Sequence, residues 1–208
     1  MDWFSTLSLA LGSAWTSGIN LYATVTVLGL LQKFGAATLP GGLDALDNWW
    51  IIGFAGGLYL VEFFADKIPY VDSVWDVVHT FIRIPAGAIV AYAATNHLDS
   101  SITIPATLVG GSLAFASHGT KAAARIGANF SPEPVSNWAL SFVEDAVALV
   151  GVILAVFAPM MIATVLILFI LFFLWFFPKI VRAIKRLFVA AAGFIRGESF
   201  AEVARKAG

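Results

Sequence analysis

The run MMIATVLILFILFFLWFF, Met160–Phe177, decides the class of this protein. It holds no charged residue, and at ~1.5 Å rise per residue it reaches ~27 Å, close to the ~30 Å hydrocarbon core of a bilayer. A soluble chain of 208 residues has too little protein to surround such a helix. The remaining composition agrees. Hydrophobic residues make up 60%, charged residues 12%, and mean hydropathy is +0.88; soluble domains are only about 45–50% apolar. The expectation is an all-α, polytopic membrane helix bundle.

Outward from that run, five more segments are long enough to enter or cross a bilayer, at 4–33, 48–65, 74–95, 101–128 and 137–158. Turn residues separate them: LPGG (39–42), DKIPYVD (66–72), NHLDSS (96–101) and NFSPEP (129–134). Only Ala158-Pro159 divides the last two, which predicts a tight reversal. Beyond Phe177 the chain turns basic, with Lys179, Arg182, Lys185, Arg186, Arg196, Arg205 and Lys206 against Glu198 and Glu202. Basic residues after a span mark the cytoplasmic side. Arg182 and Arg186 share a helical face, so the tail reads as an amphipathic helix near anionic lipid headgroups. Six crossings would then place both termini in the cytoplasm. Asp2 stands where a signal peptide is basic, so the first segment reads as retained. The net charge of −1 gives no field to recruit nucleic acid, and the absence of cysteine excludes disulfides and thiolate chemistry.

A weak internal echo suggests two halves, 1–98 and 99–177, followed by the tail 178–208. GSAWTSGIN (12–20) and GSLAFASHGTK (111–121) each set Ser and Gly within an over-long apolar segment, and Asn48-Trp49 is echoed by Asn137-Trp138. Three crossings per half would make the repeats inverted, a plan in which interrupted or re-entrant helices bring backbone groups to the midplane. Gly18 permits either close packing or a break, with Ser17 and Asn20 able to satisfy freed backbone groups.

The charges fall in lines. At ~100° per residue Asp72, Asp76, His79 and Arg83 share one stripe of an otherwise apolar helix. Tyr59, Glu62 and Asp66 form a second stripe. Ser117, Lys121 and Arg125 recur every four residues beside His118, and Asn137, Ser141 and Glu144 align next to Asp145. An ionised group inside a span costs about 2.5–3.5 kcal/mol on insertion scales, so such groups pair or line a wet cavity. Two readings follow. In one, the acids neutralise Arg83, Lys121 and Arg125 and lock the bundle. In the other, a polar cavity faces the cytoplasm. There Lys121, Arg125 and Arg83, with His118, Ser117 and Asn20, would hold an anionic substrate. Glu62, Asp66, Asp72, Asp76, His79, Glu144 and Asp145 would carry a coupling proton or cation. Asp72, Asp76 and Glu62 offer the oxygen donors that suit a divalent cation such as Mg²⁺.

Read in order, GSAWTSGINLYATVTVLGLL, VEFFADKIPYVDSVWDVVHTFIRIPAGA, ASHGTKAAARIGAN and NWALSFVEDAVALV resemble the bacterial membrane family filed as domain of unknown function 4126, over about residues 10–160. The resemblance implies a bacterial cytoplasmic membrane protein and no particular activity. The functional expectation is a small transporter or flippase for an anionic, phosphate-bearing substrate, coupled to a proton or cation. Its rivals are a Mg²⁺-dependent enzyme acting on a lipid phosphate, and a channel or assembly protein. A homo-oligomer would serve the channel reading, with its pore between subunits.

Overall fold

Local chemistry sets the helix starts. Asp2 accepts hydrogen bonds from the Ser5 amide at 2.9 Å and the Ser5 hydroxyl at 2.8 Å, capping α1 (Trp3–Lys33). Asn48 accepts from the Trp50 amide at 2.8 Å and opens α2 (Trp49–Ala65). Asp99 does the same for the Ser101 amide at the start of α4 (Ser100–Asn129). The other helices are α3 (Val71–Thr95), α5 (Pro134–Phe157) and α6 (Pro159–Ile195), with a 3-10 turn at Gly41–Asp47. The computed structural model describes residues 1–68, 70–129 and 134–195, and among them every regular element is helical. Much of the NFSPEP turn and the tail beyond Ile195 lie outside the described residues.

Length and composition let α1, α3, α4, α5 and the first 24 residues of α6 cross a membrane. At 17 residues, α2 is the shortest, and at ~1.5 Å per residue it still reaches ~26 Å. The burial pattern is inverted relative to a soluble bundle. Arg83, Arg125 and Glu62 have no exposed surface, while Trp50 is 87% and Phe81 80% exposed. Apolar faces turn outward and ions turn inward, as a lipid solvent demands. This is an integral membrane protein.

α1 is not one straight span. Asn20 has extended backbone angles (φ −145°, ψ 98°) inside the helix. Its side chain accepts from the Ala23 amide at 2.9 Å, and the Thr24 hydroxyl donates to its carbonyl at 2.8 Å. Asn20 thus acts as an N-cap for a new helix, 21–33, that follows a first helix, 3–19. The packing of the two halves runs in opposite senses. In the first half, Gly12 lies against Ala155, Thr16 against Gly151, and Ser17 against Gly87 of α3. Gly110 of α4 touches both Ala14 and Ala91, so 3–19 runs antiparallel to α3. In the second half, Gly29 lies against Ile52 and Thr26 against Gly56, so 21–33 runs antiparallel to α2. Because α2 itself runs antiparallel to α3, the second half runs with α3. α1 therefore enters, breaks at Asn20, and returns to the end from which it came.

This corrects the expectation of six crossings: at most five remain, α2 to α6. It also removes the basis for placing the N-terminus on the cytoplasmic side. Near the returning end, Gly41 (φ +61°) approaches the Ala93 and Ala94 carbonyls and the Asn96 side chain, which a side chain at position 41 would obstruct. α4 does not share the break. Its contacts with α3 keep one sense from Thr103–Thr95 through Gly110–Ala91, Ala114–Gly87 and His118–Thr80 to Arg125–Asp72. The two echoing segments thus fold differently, and they meet. A Cβ at Gly18 would lie 2.4 Å from the Ala114 carbonyl oxygen, and Ser117 donates to the Trp15 carbonyl at 2.8 Å.

The chain divides after Leu166: residues 1–166 form one compact unit, and Ile167 begins another. All of the expected site residues lie in the first. In the second, Lys179 sits over the Trp175 ring at 3.0 Å.

Candidate ion-binding site

A broken helix leaves carbonyls without amide partners at the end of its first half. In lipid these must be satisfied from within the protein. Two α3 and α4 side chains reach them, and a third binds just before them. Ser117 takes Trp15 O, Arg83 Nη1 lies 3.4 Å from Gly18 O, and Lys121 Nζ lies 3.3 Å from Ile19 O. On the other side of the break, Asn20 caps the second half and donates Nδ2 to Asp145 Oδ1 at 3.0 Å. The break and the charged residues are one construction.

The cations in turn gather acids. Arg83 pairs through Nη2 with Glu62 Oε1 at 2.5 Å and through Nη1 with Asp76 at 3.5 Å. Lys121 Nζ meets Asp66 at 3.0 Å, Glu62 at 3.1 Å, Glu144 at 3.7 Å and Asp76 at 3.8 Å. Arg125 forks onto Glu144, donates to Asp66 Oδ2 at 2.9 Å and to the Asp66 carbonyl at 2.5 Å, and lies 3.6 Å from Asp72. Asp66 stands where it can do this because α2 ends at Ala65 and the chain turns there.

Two histidines join the edges in defined tautomers. Arginine only donates, so His118 Nδ1, 3.1 Å from Arg83 Nη1, accepts. Its Nε2 then carries the proton, 3.1 Å from the Asp76 carbonyl, with the Thr80 hydroxyl at 2.8 Å. A carbonyl only accepts, so His79 Nδ1 donates to Trp75 O at 2.8 Å, and Nε2 accepts from the Tyr22 hydroxyl at 2.9 Å. Trp75 stacks on the His79 ring at 4.3 Å.

Every expected site residue is thus buried or half-buried at one place: Lys121, Arg125, Arg83, His118, Ser117 and Asn20, together with Glu62, Asp66, Asp72, Asp76, His79, Glu144 and Asp145. Their partnerships differ from the expected division into anion and cation ligands. Lys121 and Arg125 are surrounded by carboxylates, so an anion reaches either only by displacing one. Nor do Asp72, Asp76 and Glu62 make a divalent-ion site. With Arg83, Lys121 and Arg125 in place, no three His, Cys, Asp or Glu side chains among the described residues form a metal-ligand cluster, because each of these carboxyls is drawn to an arginine or lysine instead. His97 and its neighbour Asp99 are exposed.

Some contributors carried no signal in the sequence. The Gly18 and Ile19 carbonyls are invisible to side-chain patterns. Trp75 and Thr80 pass for ordinary helix residues. Lys67 lies just outside the cluster, 3.0 Å from the Phe63 ring centre and 4.6 Å from that of Phe142, with Ser141 Oγ at 3.2 Å. Partial burial holds its ammonium below the usual lysine range, against the opposing pull of Asp145 and Asp66.

The four segments singled out in the sequence converge on this one network. The chain belongs to the DUF4126 family, a domain of unknown function. The match covers residues 7–179, which include every member of the network. No curated protein and no solved structure matches the chain.

The network carries a charge imbalance. Three cations, Arg83, Lys121 and Arg125, face six acids, Glu62, Asp66, Asp72, Asp76, Glu144 and Asp145, and all nine are buried. Full ionisation would leave a surplus of three negative charges among these nine groups, or two with Lys67 at the edge counted. Glu62 Oε2, Asp66 Oδ1, Asp76 Oδ2 and Asp145 Oδ2 are buried with no hydrogen-bond partner. Bare carboxylate oxygens in such a place are costly unless a proton or cation joins them.

Proposed function

We propose that this protein is a small transporter of the bacterial cytoplasmic membrane that moves a proton or small cation through the acid-rich network at the α1 break. One observation carries the reading: six buried acids against three buried cations, gathered where a re-entrant helix exposes its carbonyls. Half-helix ends near the midplane are a recurrent way of handling coupling ions in transporters. The anionic-substrate expectation is weakened by the same geometry, since Lys121 and Arg125 have their donors directed at acids. The basic residues beyond Phe177 and Lys67 in the α2–α3 turn mark their respective sides as cytoplasmic.

A lipid substrate is the second reading, and one feature favours it. An apolar cavity of about 650 Å³ between α1, α2 and α3 is lined by Val25, Trp50, Phe54, Ile89 and Tyr22. Tyr22 also holds His79 at the edge of the network, so a hydrocarbon chain there would bring its polar end towards the ions.

The test is reconstitution into liposomes, with an enclosed pH-sensitive dye reading protons and isotope-labelled sodium or rubidium reading alkali-ion uptake. An imposed sodium, potassium or proton gradient should drive flux through wild type, and folded Glu144→Gln or Asp145→Asn proteins should lose most of it. Absence of flux for every cation tried, with uptake of a labelled anion or movement of a labelled lipid instead, would reject the cation reading.

A further inference from the structure

Lys121 occupies a position that resembles that of a bound ion. Its ammonium is buried and meets five oxygens from four segments: Ile19 O at 3.3 Å, Glu62 at 3.1 Å, Asp66 at 3.0 Å, Glu144 at 3.7 Å and Asp76 at 3.8 Å. Ile19 O, Glu62 and Asp66 lie at hydrogen-bond distance, and Glu144 and Asp76 stand further back as ion-pair partners; this spacing is wider than the ~2.0–2.6 Å that Mg²⁺ and Ca²⁺ require and suits a singly charged guest of ammonium size. The lysine enters from α4 on a flexible four-carbon stem, whereas the oxygens belong to the α1 break, α2 and its end, α3 and α5. Three of the four carboxyls, Glu62, Asp66 and Asp76, also have their second oxygen buried and unpartnered. The oxygen shell therefore holds more acceptors than one ammonium satisfies. Arg83 and Arg125 alone leave the four carboxyls of this shell two charges short of balance.

We propose that this shell is a monovalent-cation site, for an alkali or ammonium-type ion, which Lys121 fills as a tethered occupant. A free cation takes the same place when the lysine withdraws, so Lys121 and the transported ion exclude one another. This deepens the transport reading and rests on it for its biological sense. The binding claim is testable without transport.

The experiment uses full-length Lys121→Ala, which opens the shell, and Lys121→Met, which fills it with an apolar stem. Both are purified in ammonium acetate and melted in sodium, potassium, ammonium or methylammonium chloride. N-methylglucamine chloride at equal ionic strength is the control. Lys121→Ala should gain about 2–4 °C from at least one small cation, saturably, while wild type and Lys121→Met should not respond. Recovery of folded Lys121→Ala in ammonium but not in N-methylglucamine counts equally in favour. An equal response of all three proteins, no response, or failure to recover Lys121→Ala in any cation would overturn the proposal. Wild-type flux in the liposome assay alongside a silent Lys121→Ala would reject only this inference. Saturable binding without flux would reject only the transport reading.

Discussion

Asn20 Nδ2 lies 3.0 Å from Asp145 Oδ1, joining the break in α1 to the middle of α5. The same Asn20 side chain accepts from the Ala23 amide. One residue therefore starts the returning helix and fixes it to an acid of the network, so the re-entrant tip and the ion cluster are mechanically one object.

Replacement of Asn20 separates its two tasks. Asn20→Ala removes the cap and the Asp145 contact and should lower stability by about 1–3 kcal/mol. Asn20→Asp keeps a capping oxygen but replaces a donor by a second acid facing Asp145, and should cost at least as much at neutral pH. Thermal melts of the detergent-solubilised proteins decide it. An Asn20→Ala protein as stable as wild type would contradict the capping role.

The return of α1 makes a topological prediction. The chain has no cysteine, so single cysteines report cleanly. Trp3→Cys and Asp44→Cys should react with a membrane-impermeant maleimide from one side of the membrane, and Ile68→Cys from the other. Labelling of positions 3 and 68 from the same side would mean that α1 crosses.

Close packing at the crossing of α1, α3 and α4 predicts sharp glycine effects. A Cβ at Gly18 would stand 2.8 Å from Ala114 Cα, and one at Gly87 2.4 Å from Ala114 Cβ. Gly18→Ala and Gly87→Ala should each destabilise by about 1–3 kcal/mol, as overpacked cores do. Gly53 has nothing within 4 Å of its added carbon, and Gly53→Ala should be tolerated. Equal melting temperatures for all three would contradict the packing.

Arg83 and Glu62 should prove strongly coupled. Both are without exposed surface, and removing one partner of a buried pair typically costs about 3–5 kcal/mol. Arg83→Met and Glu62→Gln should each be severely destabilised, with the double variant better than the sum of the two. A double-mutant cycle measured in a denaturing detergent checks this. Simple additivity would show that the pair is not the unit described.

The sequence by itself determined the membrane class, the helix segments and the alignment of charges into stripes. These are local properties: hydropathy over a span and the helical repeat fix which of Asp72, Asp76, His79 and Arg83 share a face, whatever surrounds them. Tertiary structure alone decided that α1 returns and α4 crosses, although both carry small and polar residues midway. A polar residue within an apolar helix is compatible with a straight or a broken chain. The outcome depends on whether Arg83 and Lys121 arrive from other helices to satisfy the freed carbonyls of Gly18 and Ile19. Tertiary packing likewise assigned the partners, enclosing Lys121 and Arg125 with acids, because the attraction between charges depends on distance in space and not on separation along the chain.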